Sequence, residues 1–454
     1  MSVPKPPADP RVLNRRDALR GALGLGIAVE FLGGRAFADS EGVQAGKKLV
    51  VIICRGGMDG LSVSPPVGDP NYQALRGPIA IAGFGQPGGA LPLDHTFGLH
   101  PALASVHALA LKGQARIAPA VATPDRARSH FEAQDVLESG GTVVYGTSSG
   151  WLNRALQAMG PAGRVQAISI GATAPLLLRG KIETASWAPG GAPERDHRLP
   201  GILQDLYAHD PLLSQALASG LSTESMARIA AADANQLLMA DAPAPAMAAA
   251  TARPAGDAAM MAASTAQTQP AAAALARFNP RQNADQARKL GATLAGLMIQ
   301  PDGKQIAGVS FDGFDTHANQ GAAQGQLASR LVYLDAFLDG LVTGLGPAWK
   351  DTVVVAATEF GRTAHVNGTG GADHGTASTA LVLGGGLKRG GIVGDWPTLE
   401  PASLFESRDT APTLDMRGLF KGVLSEHLGV ERRALDTLVF PDSAAVAPAA
   451  GLVA

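Results

Sequence analysis

The chain has little of what several classes of protein need. Its 454 residues include one cysteine, 5% aromatic residues and 17% charged residues, and the net charge is −2. One cysteine excludes an internal disulfide, and a nearly neutral chain without a basic stripe has no field that attracts nucleic acid. Beyond the N-terminal region no run of 18 or more apolar residues occurs, so we expect no stable membrane span in the mature chain.

The first 38 residues have the layout of a bacterial export signal. Residues 14–20, NRRDALR, resemble the twin-arginine consensus, and residues 21–34 are Gly/Ala-rich and mildly apolar. Ala36-Phe37-Ala38 then supplies the small side chains that a signal peptidase accepts. A disordered basic segment before a helix is the alternative. The pattern predicts passage through the twin-arginine export machinery and a periplasmic or secreted mature protein.

The rest of the chain predicts an α/β fold, in which a doubly wound, mostly parallel sheet is flanked by helices. Hydrophobic residues make up 46% of the chain, which allows a sizeable core. Short β-branched apolar runs alternate with amphipathic stretches. The predicted strands are 48–54, 115–122, 165–170, 306–312, 352–357 and 379–383. The predicted helices are 100–112, one from about 130 to 140, 151–159, two within 201–238, 283–298, 321–345 and 410–428.

Two segments are set apart by composition. Residues 241–277 are rich in Ala, Pro and Met with little charge, which predicts a disordered or loosely helical insert without chemistry. The insert divides one α/β domain into segments 45–240 and 278–440. The Ala-rich residues 443–454 are predicted to be a disordered tail.

The most informative stretch is 351–394. A buried strand ends in Glu359 and Arg362, and a flexible loop then carries Asp373 and His374 to the start of the next strand. Ligands of open α/β sheets bind beyond the carboxyl ends of the strands. We therefore expect a site there.

Other polar groups follow the remaining strands. Asp59 comes after the first strand, among glycines, although Asp-Gly also favours an ordinary turn. Asp315 and His317 follow strand 306–312, where two such residues could bind one ion or simply stabilise a turn. The single cysteine, Cys54, lies inside an apolar run and is interpreted as a small buried hydrophobe.

Ser129 stands between Arg128 and His130, where a strand gives way to a helix. A helix N-terminus stabilises an anion, so this serine is a candidate nucleophile. The same residue could serve as an N-cap, with Glu132 completing a capping box. Carboxylates and imidazoles at the strand ends suit zinc, manganese or a similar divalent ion, and two such ions could activate a hydroxyl group.

These motifs resemble those of a known family. RSHFEAQDVLESG, FDTHANQ, TEFGRT and ADHG, behind a twin-arginine signal, resemble the bacterial domain-of-unknown-function 1501 family. The resemblance covers roughly residues 45–430, and the segment from TEFGRT to DHG is its most specific part. That family is similar in pattern to the alkaline phosphatase and sulfatase superfamily. The resemblance implies a doubly wound α/β fold with one or two divalent metal ions at the strand ends.

The resemblance also implies roles for single residues. Asp59 matches the metal-ligating aspartate after the first strand, and Ser129 matches the nucleophile. Asp315 and His317 match an Asp/His pair, but their spacing is two residues where the superfamily usually has four. Asp312 could therefore be the true ligand.

Two further positions complete the set that the resemblance implies. Glu359-Phe360 stands where the superfamily has an adjacent Asp-His pair, so one ligand is missing unless Asp373 or another histidine supplies it. His374 matches the last histidine of the pattern.

The first functional interpretation is an exported, metal-dependent hydrolase of phosphate or sulfate esters. Ser129 would attack an anionic small-molecule or surface-polymer ester, and Arg362 or Arg128 would bind the anionic group. The competing interpretation is a non-catalytic binding or assembly protein on the same fold. A serine esterase ranks last because the chain lacks the G-x-S-x-G elbow.

Overall fold

A computed structural model describes residues 46–160, 167–171, 174–188, 211–240, 280–300 and 303–454. The proposed signal at 1–38 and the insert at 241–277 lie outside these residues, as do positions 165–166 of one predicted strand. The described strands are β1 Lys48–Cys54, β2 Leu91–Pro92, β3 Gly98–Leu99, β4 Ala115–Ala122, β5 Ala167–Ile170, β6 Ala185–Trp187, β7 Ile306–Phe311, β8 Thr352–Ala357, β9 Ser378–Gly384 and β10 Leu414–Asp415.

The α-helices among the described residues lie on both faces of the sheet or connect its strands. They are α1 Gly60–Val63, α2 Tyr72–Arg76, α3 Ala104–Leu111, α4 His130–Ser139, α5 Trp151–Ala158, α6 Pro211–Ala240, α7 Pro280–Ile299, α8 Gln326–Leu345, α9 Met416–Leu428 and α10 Arg432–Ala434. Short 3-10 turns at Gly77–Ile79, Leu176–Leu178, Gly346–Asp351 and Pro401–Ser403, and a π-helical turn at Leu435–Val439, complete the set.

Eight of the described strands form one sheet in the order β10-β4-β9-β8-β1-β7-β5-β6. Strand β1 lies between β7 and β8 and is parallel to both. The predicted α/β fold with a mostly parallel sheet is confirmed, with one exception: β9 runs antiparallel to both of its neighbours, β8 and β4. The carboxyl ends of β1, β4, β7 and β8 and the N-terminal end of β9 therefore meet at one edge.

The sheet is buried on both faces. Along β1 every residue is buried, and successive side chains point to opposite faces, as in any strand. Val50, Ile52 and Cys54 join one core with α7 and α8, whereas the residues between them join a second core with α5 and α9. Helices on both faces explain why β1 is a continuous apolar run.

Several predicted helix boundaries were wrong, each for a local reason. Helix α3 begins at Ala104, because the ring Nδ1 of His100 instead accepts the N–H of Ala102, 3.0 Å away. Helix α8 begins at Gln326, because Gly321 and Gly325 have φ angles of +79° and +133°.

Two further helix predictions also need correction. Helix α9 begins at Met416, where the Asp415 side chain accepts the N–H of Arg417. Where two helices were predicted within 201–238, the described part is one helix, Pro211–Ala240.

The C-terminal residues 443–454, predicted to be a disordered tail, pack on the domain instead. The Glu426 carboxylate accepts the N–H groups of residues 451, 452 and 453, and Leu452 is fully buried. The ammonium group of Lys421, itself buried, contacts the carbonyl groups of Ser443 and Val446. Alanine-rich composition gave no sign of these anchors, because they lie on α9 rather than in the tail.

One segment of the described residues, Gln326–Asp351, is long and apolar enough to cross a membrane by length and composition, with a mean hydropathy of 1.2. Half of its most apolar window is buried inside the fold. Within it, Asp335 accepts the N–H groups of Ser105 and Val106, at the start of α3. These contacts are those of a core helix.

The fold makes stability depend on the protonation of His427. This side chain is 4% exposed, and burial lowers its pKa from 6.5 to about 4. A group whose pKa is lower in the folded state stabilises the fold above its unfolded pKa and loses that contribution as the pH falls. We expect a loss of about 3 kcal/mol in the free energy of unfolding between roughly pH 6.5 and pH 4.

The measurement is urea unfolding at several pH values, with His427→Gln as the comparison. Glutamine keeps a donor for the Lys48 carbonyl, which lies 2.8 Å from the histidine Nε2. The variant should lose this part of the pH dependence. Equal slopes for the two proteins would show that another group is responsible.

Candidate metal centre

Polar side chains from four connections meet at the edge where the strands β1, β4, β7 and β8 end. His130 opens the helix after β4, Asp315 and His317 follow β7, Glu359 follows β8, and His374 precedes β9. They meet because β9 is antiparallel, so that its N-terminal end lies beside the carboxyl ends of the other strands. The structure thus brings together residues that are up to 244 positions apart in the chain.

Three imidazole rings converge on one carboxylate. The Nε2 atoms of His317 and His374 lie 3.0 and 3.4 Å from Asp315 Oδ1, and His130 Nε2 lies 3.3 Å from Asp315 Oδ2. The Nε2 atoms of His317 and His374 are 2.9 Å apart. Ligand atoms of His130, Asp315 and His374 all lie within 4.8 Å of one another. We call these four residues the histidine cluster.

The outer nitrogen of each ring has its own acceptor. His130 Nδ1 lies 2.8 Å from Glu359 Oε1, and His374 Nδ1 lies 2.8 Å from the carbonyl oxygen of Arg128. His317 Nδ1 lies 3.1 Å from Asp373 Oδ1. Carboxylate and carbonyl oxygens only accept hydrogen bonds, so Nδ1 is the donor atom of each ring. The three Nε2 atoms, which remain as possible ligand atoms, face the same place.

This donor set fits a divalent cation. Nitrogen lone pairs and a carboxylate directed at one point repel each other, and a bound cation would relieve this repulsion. His130 Nε2 is buried and has no hydrogen-bond partner, although Asp315 Oδ2 is 3.3 Å away. Rings whose Nδ1–H is held by a carboxylate or carbonyl are typical of metal-binding histidines. Three imidazoles and one carboxylate suit zinc and related ions.

Glu359 holds His130 from behind. The glutamate is fully buried and accepts the backbone N–H of Gly56 at 2.8 Å and the Gln134 amide at 3.2 Å. Burial raises the pKa of the Glu359 carboxyl, but the hydrogen bonds from His130 and Gly56 outweigh it and hold that pKa below its usual range. The hydrogen bond to Glu359 raises the pKa of His130. Glu359, predicted as a metal ligand, thus lies behind His130 and is joined to it by a hydrogen bond.

Asp315 is held in place by Arg362, whose Nη2 lies 2.5 Å from Asp315 Oδ1. Burial raises the pKa of the Asp315 carboxyl. The Arg362 guanidinium group opposes this effect, and the pKa lies below its usual value. Gly56 allows the turn after β1 to approach the loop that carries Asp315. A Cβ at this position would lie 2.5 Å from the backbone nitrogen of Asp315. Arg362 and the turn at Gly56 therefore fix the position of the loop that carries Asp315.

The cluster has one closed side and one open side. The Phe360 ring packs against His130 and His374, with ring centroids 4.8 and 4.7 Å apart. Burial lowers the pKa of His374, which favours the neutral ring. The Asp315 side chain is 44% exposed and that of His317 43%, so a small molecule can reach this side from solvent. Phe360, predicted not to be a ligand, thus forms the apolar wall.

Asp59, predicted as a metal ligand, points elsewhere. Its carboxylate is fully buried and pairs with the guanidinium group of Arg76, while Ser62 and Gln320 donate to it at 2.9 and 2.6 Å. The reason is electrostatic, since a buried carboxylate with a buried cation beside it is already neutralised. The histidine cluster does not include it.

The two arginines predicted to bind an anion form ion pairs within the protein. Arg128 pairs with Asp409 at 2.8 Å and with Glu406 at 2.6 Å. Arg362 is 1% exposed and donates to Asp315 and to the backbone oxygens of Gly57 and Ala372. Arg362 thus has its donors engaged, and Arg128 is paired through Nε and Nη2.

Ser129 precedes α4 but does not cap it through its side chain, so the predicted capping box with Glu132 is absent. Arg128, the preceding residue, has a φ angle of +59°, an uncommon conformation for a residue other than glycine. This turn places Ser129 directly before His130, at the N-terminus of a helix of ten residues.

The remaining predicted residues take different places. Asp373 contacts His317 from outside the cluster, and the Asn367 amide lowers its pKa. Asp315, rather than Asp312, joins the histidines, and Asp312 lines a neighbouring cavity instead. Sequence reasoning missed His130, although its position after a strand end was the same signal that singled out Ser129 beside it.

Solved structures with partial similarity include hydrolases and a periplasmic domain. The chain is similar to the C-terminal periplasmic domain of EcEptC from Escherichia coli in complex with Zn, at 9% identity and a TM-score of 0.34, covering 74% of this chain and 72% of that chain. It is similar to BT1596, a 2-O GAG sulfatase, at 11% identity and a TM-score of 0.32, covering 88% and 73%.

A third such structure is the phosphonate monoester hydrolase of Agrobacterium radiobacter, at 10% identity and a TM-score of 0.30, covering 74% of this chain and 68% of that chain. Similarity at this level assigns no residue of the site. No curated protein matches the sequence.

The motifs that carry the resemblance seen in the sequence lie at the site itself. RSHFEAQD contains His130, FDTHANQ contains Asp315 and His317, TEFGRT contains Glu359, and ADHG contains His374. The family model for a protein of unknown function, DUF1501, matches residues 93–439, which include all of these motifs. This chain therefore belongs to the DUF1501 family.

Proposed function

We propose that this protein binds one divalent metal ion through His130, Asp315, His317 and His374, and that it is a metal-dependent hydrolase of phosphate or sulfate esters. The observation that supports the metal site is the convergence of three Nε2 atoms on Asp315 while each Nδ1 is held by an acceptor. One ion is proposed, because Asp59 is paired with Arg76.

The chain's own residues would prepare this centre for catalysis. When bound, a divalent ion can polarise an ester oxygen and lower the pKa of a hydroxyl group or water. Glu359 and Asp373 keep the protons of His130 and His317 on the outer nitrogens, so the inner nitrogens stay available as ligands. Phe360 keeps water from one side, and the exposed side of His317 and Asp315 admits the substrate.

Ser129 is the nucleophile in this proposal. Its side chain makes no cap hydrogen bond, and it lies at the N-terminus of α4, where unpaired backbone N–H groups favour an anion. Because Arg128 and Arg362 have internal partners, these N–H groups and the ion would bind the anionic group of the ester.

A metal-binding protein without hydrolase activity is the second candidate. The engagement of Arg128 and Arg362 favours it, because many sites for anionic esters present an unpaired guanidinium group. The two candidates share the metal site and differ only in turnover.

The test is Ser129→Ala, assayed with an aryl phosphate and an aryl sulfate after loading with zinc or manganese. We expect unchanged metal content and a loss of turnover on the order of a thousandfold or more. Ser425→Ala, at a half-buried serine of α9, is the matched control and should retain activity. Wild-type protein that binds metal but turns over neither ester would contradict the hydrolase and support the second candidate.

We also propose export by the twin-arginine machinery, as the sequence of residues 1–38 suggests. Changing Arg15 and Arg16 together to lysine should keep the uncleaved precursor in the cytoplasm, as fractionation and the mass of the chain would show. In the unmodified chain cleavage should follow Ala38. Normal export of the double variant would contradict the proposal.

A further inference from the structure

A cavity of about 480 Å³ lies beside the histidine cluster, and none of the cluster's residues lines it. Its wall includes one face of α4, the described residues Gly171, Pro175 and Leu176 after β5, and the end of β7. The lining includes Arg55, Phe131, Glu138, Tyr145, Arg179 and Asp312. Phe131, Gln134, Asp135 and Glu138 share one helix face, because residues three and four apart are neighbours.

The lining includes two unusually exposed aromatic rings. Phe131 is 81% exposed and Tyr145 is 69% exposed, in a chain that has only 5% aromatic residues. Tyr145 has a φ angle of +56°, and its N–H donates to Asp135 Oδ1 at 2.7 Å. That backbone conformation is uncommon for a tyrosine and persists here because Asp135 holds it. Asp135 thus fixes the backbone of Tyr145 beside the cavity.

The polar groups of the cavity do not favour an anion. Asp135, Glu138 and Asp312 supply three carboxyl groups, against the two guanidinium groups of Arg55 and Arg179. Arg55 pairs with Glu138, and its buried Nε has no hydrogen-bond partner. The cavity therefore offers planar donors and planar acceptors side by side, with no net positive charge.

We propose that this cavity binds a neutral, hydroxyl-rich ring, the chemistry of a sugar residue. The aromatic rings would pack against the C–H face of such a ring, because they offer large apolar surfaces with little loss of conformational freedom. Carboxylates accept hydrogen bonds from hydroxyl groups, and guanidinium groups donate to them. A mixed lining of this kind satisfies a polyol better than it satisfies an ion of either sign.

Gln134 connects this cavity to the histidine cluster. Arg55 Nη1 lies 3.4 Å from Gln134 Oε1, and Gln134 Nε2 donates to Glu359 Oε1 at 3.2 Å. Glu359 in turn holds His130. Two side chains, Gln134 and Glu359, would thus separate a ring bound in the cavity from the cluster. The cavity would then bind the sugar part of an ester; this last step rests on the proposed hydrolase.

The test is saturation-transfer NMR of the full chain with D-glucose, D-galactose and N-acetylglucosamine, followed by titration of any sugar that binds. Phe131→Ala should weaken that binding about tenfold. Leu111→Ala is the matched control, because Leu111 is 73% exposed and does not line the cavity, and it should bind as the wild type does. Asp312→Asn removes one acceptor charge and should weaken binding as well.

Three outcomes would overturn the proposal. These are no binding of any of the sugars, equal binding by Phe131→Ala, and binding of tetramethylammonium or inorganic sulfate at the cavity in place of a neutral sugar. Metal content, measured on the same samples, separates this proposal from the metal centre. Sugar binding by a protein that holds no metal would support the cavity and contradict the proposed hydrolase. Metal content without sugar binding would contradict the cavity proposal and support the metal site alone.

Discussion

Arg76→Met is expected to lower the free energy of unfolding by about 3–5 kcal/mol, because it leaves the Asp59 carboxylate buried without its counter-charge. The side chains of Arg76 and Asp59 are 0% and 1% exposed. Arg76 also donates to the carbonyl oxygen of Thr363 at 3.0 Å, so the pair ties α2 to the loop after β8. Asp59 Oδ1 already has no hydrogen-bond partner and cannot compensate. Urea unfolding followed by circular dichroism measures the effect.

Two comparison variants make this result specific. Asp59→Asn combined with Arg76→Met removes both charges and should recover part of the lost stability. Arg432→Met breaks a partly exposed pair with Asp436, in which Arg432 is 45% exposed, and should cost less than about 1 kcal/mol. Two metal ions per chain, one of them lost in Asp59→Asn, would contradict the structural role and restore Asp59 as a ligand.

Asp59 shows why the sequence could place a residue and still assign it the wrong contact. The run from Leu49 to Cys54 is apolar throughout, which predicts a central strand, and the turn that follows must then lie at the sheet edge. Nothing in that local pattern shows which cation will lie nearby. Arg76 is 17 residues further on, outside the predicted strands and helices, and its direction depends on tertiary packing.

The histidine cluster also shows that a local sequence pattern places residues but does not show their contacts. Asp315, His317 and His374 do lie together, because the strand ends beside which the sequence places them meet at one edge of the sheet. Glu359 and Asp373 belong to the site, but the sequence cannot show that an imidazole lies between a carboxylate and the cluster centre. His130 was overlooked because its neighbour Ser129 explained the motif in two ways already.

His130→Ala is expected to have the largest effect on metal binding, because it removes one of the four proposed ligands and leaves Glu359 without its partner. Affinity for zinc, measured by competition with a chelator, should fall more than about a hundredfold, beyond the range for an outer contact. His365→Ala is the matched control, because His365 is exposed and lies outside the cluster. Circular dichroism should show the same helix content in all three proteins.

Glu359→Gln then separates a ligand from a residue that positions one. Glutamine can still accept the His130 Nδ1–H through its carbonyl oxygen, but it lacks the negative charge that makes the ring a better donor to a metal ion. We expect zinc affinity to fall about 10- to 100-fold in Glu359→Gln, less than in His130→Ala, with unchanged stoichiometry. If Glu359 were itself a ligand, the loss would match that of His130→Ala. If Glu359→Gln had no effect, His130 would not be a ligand, since its outer nitrogen contacts that carboxylate.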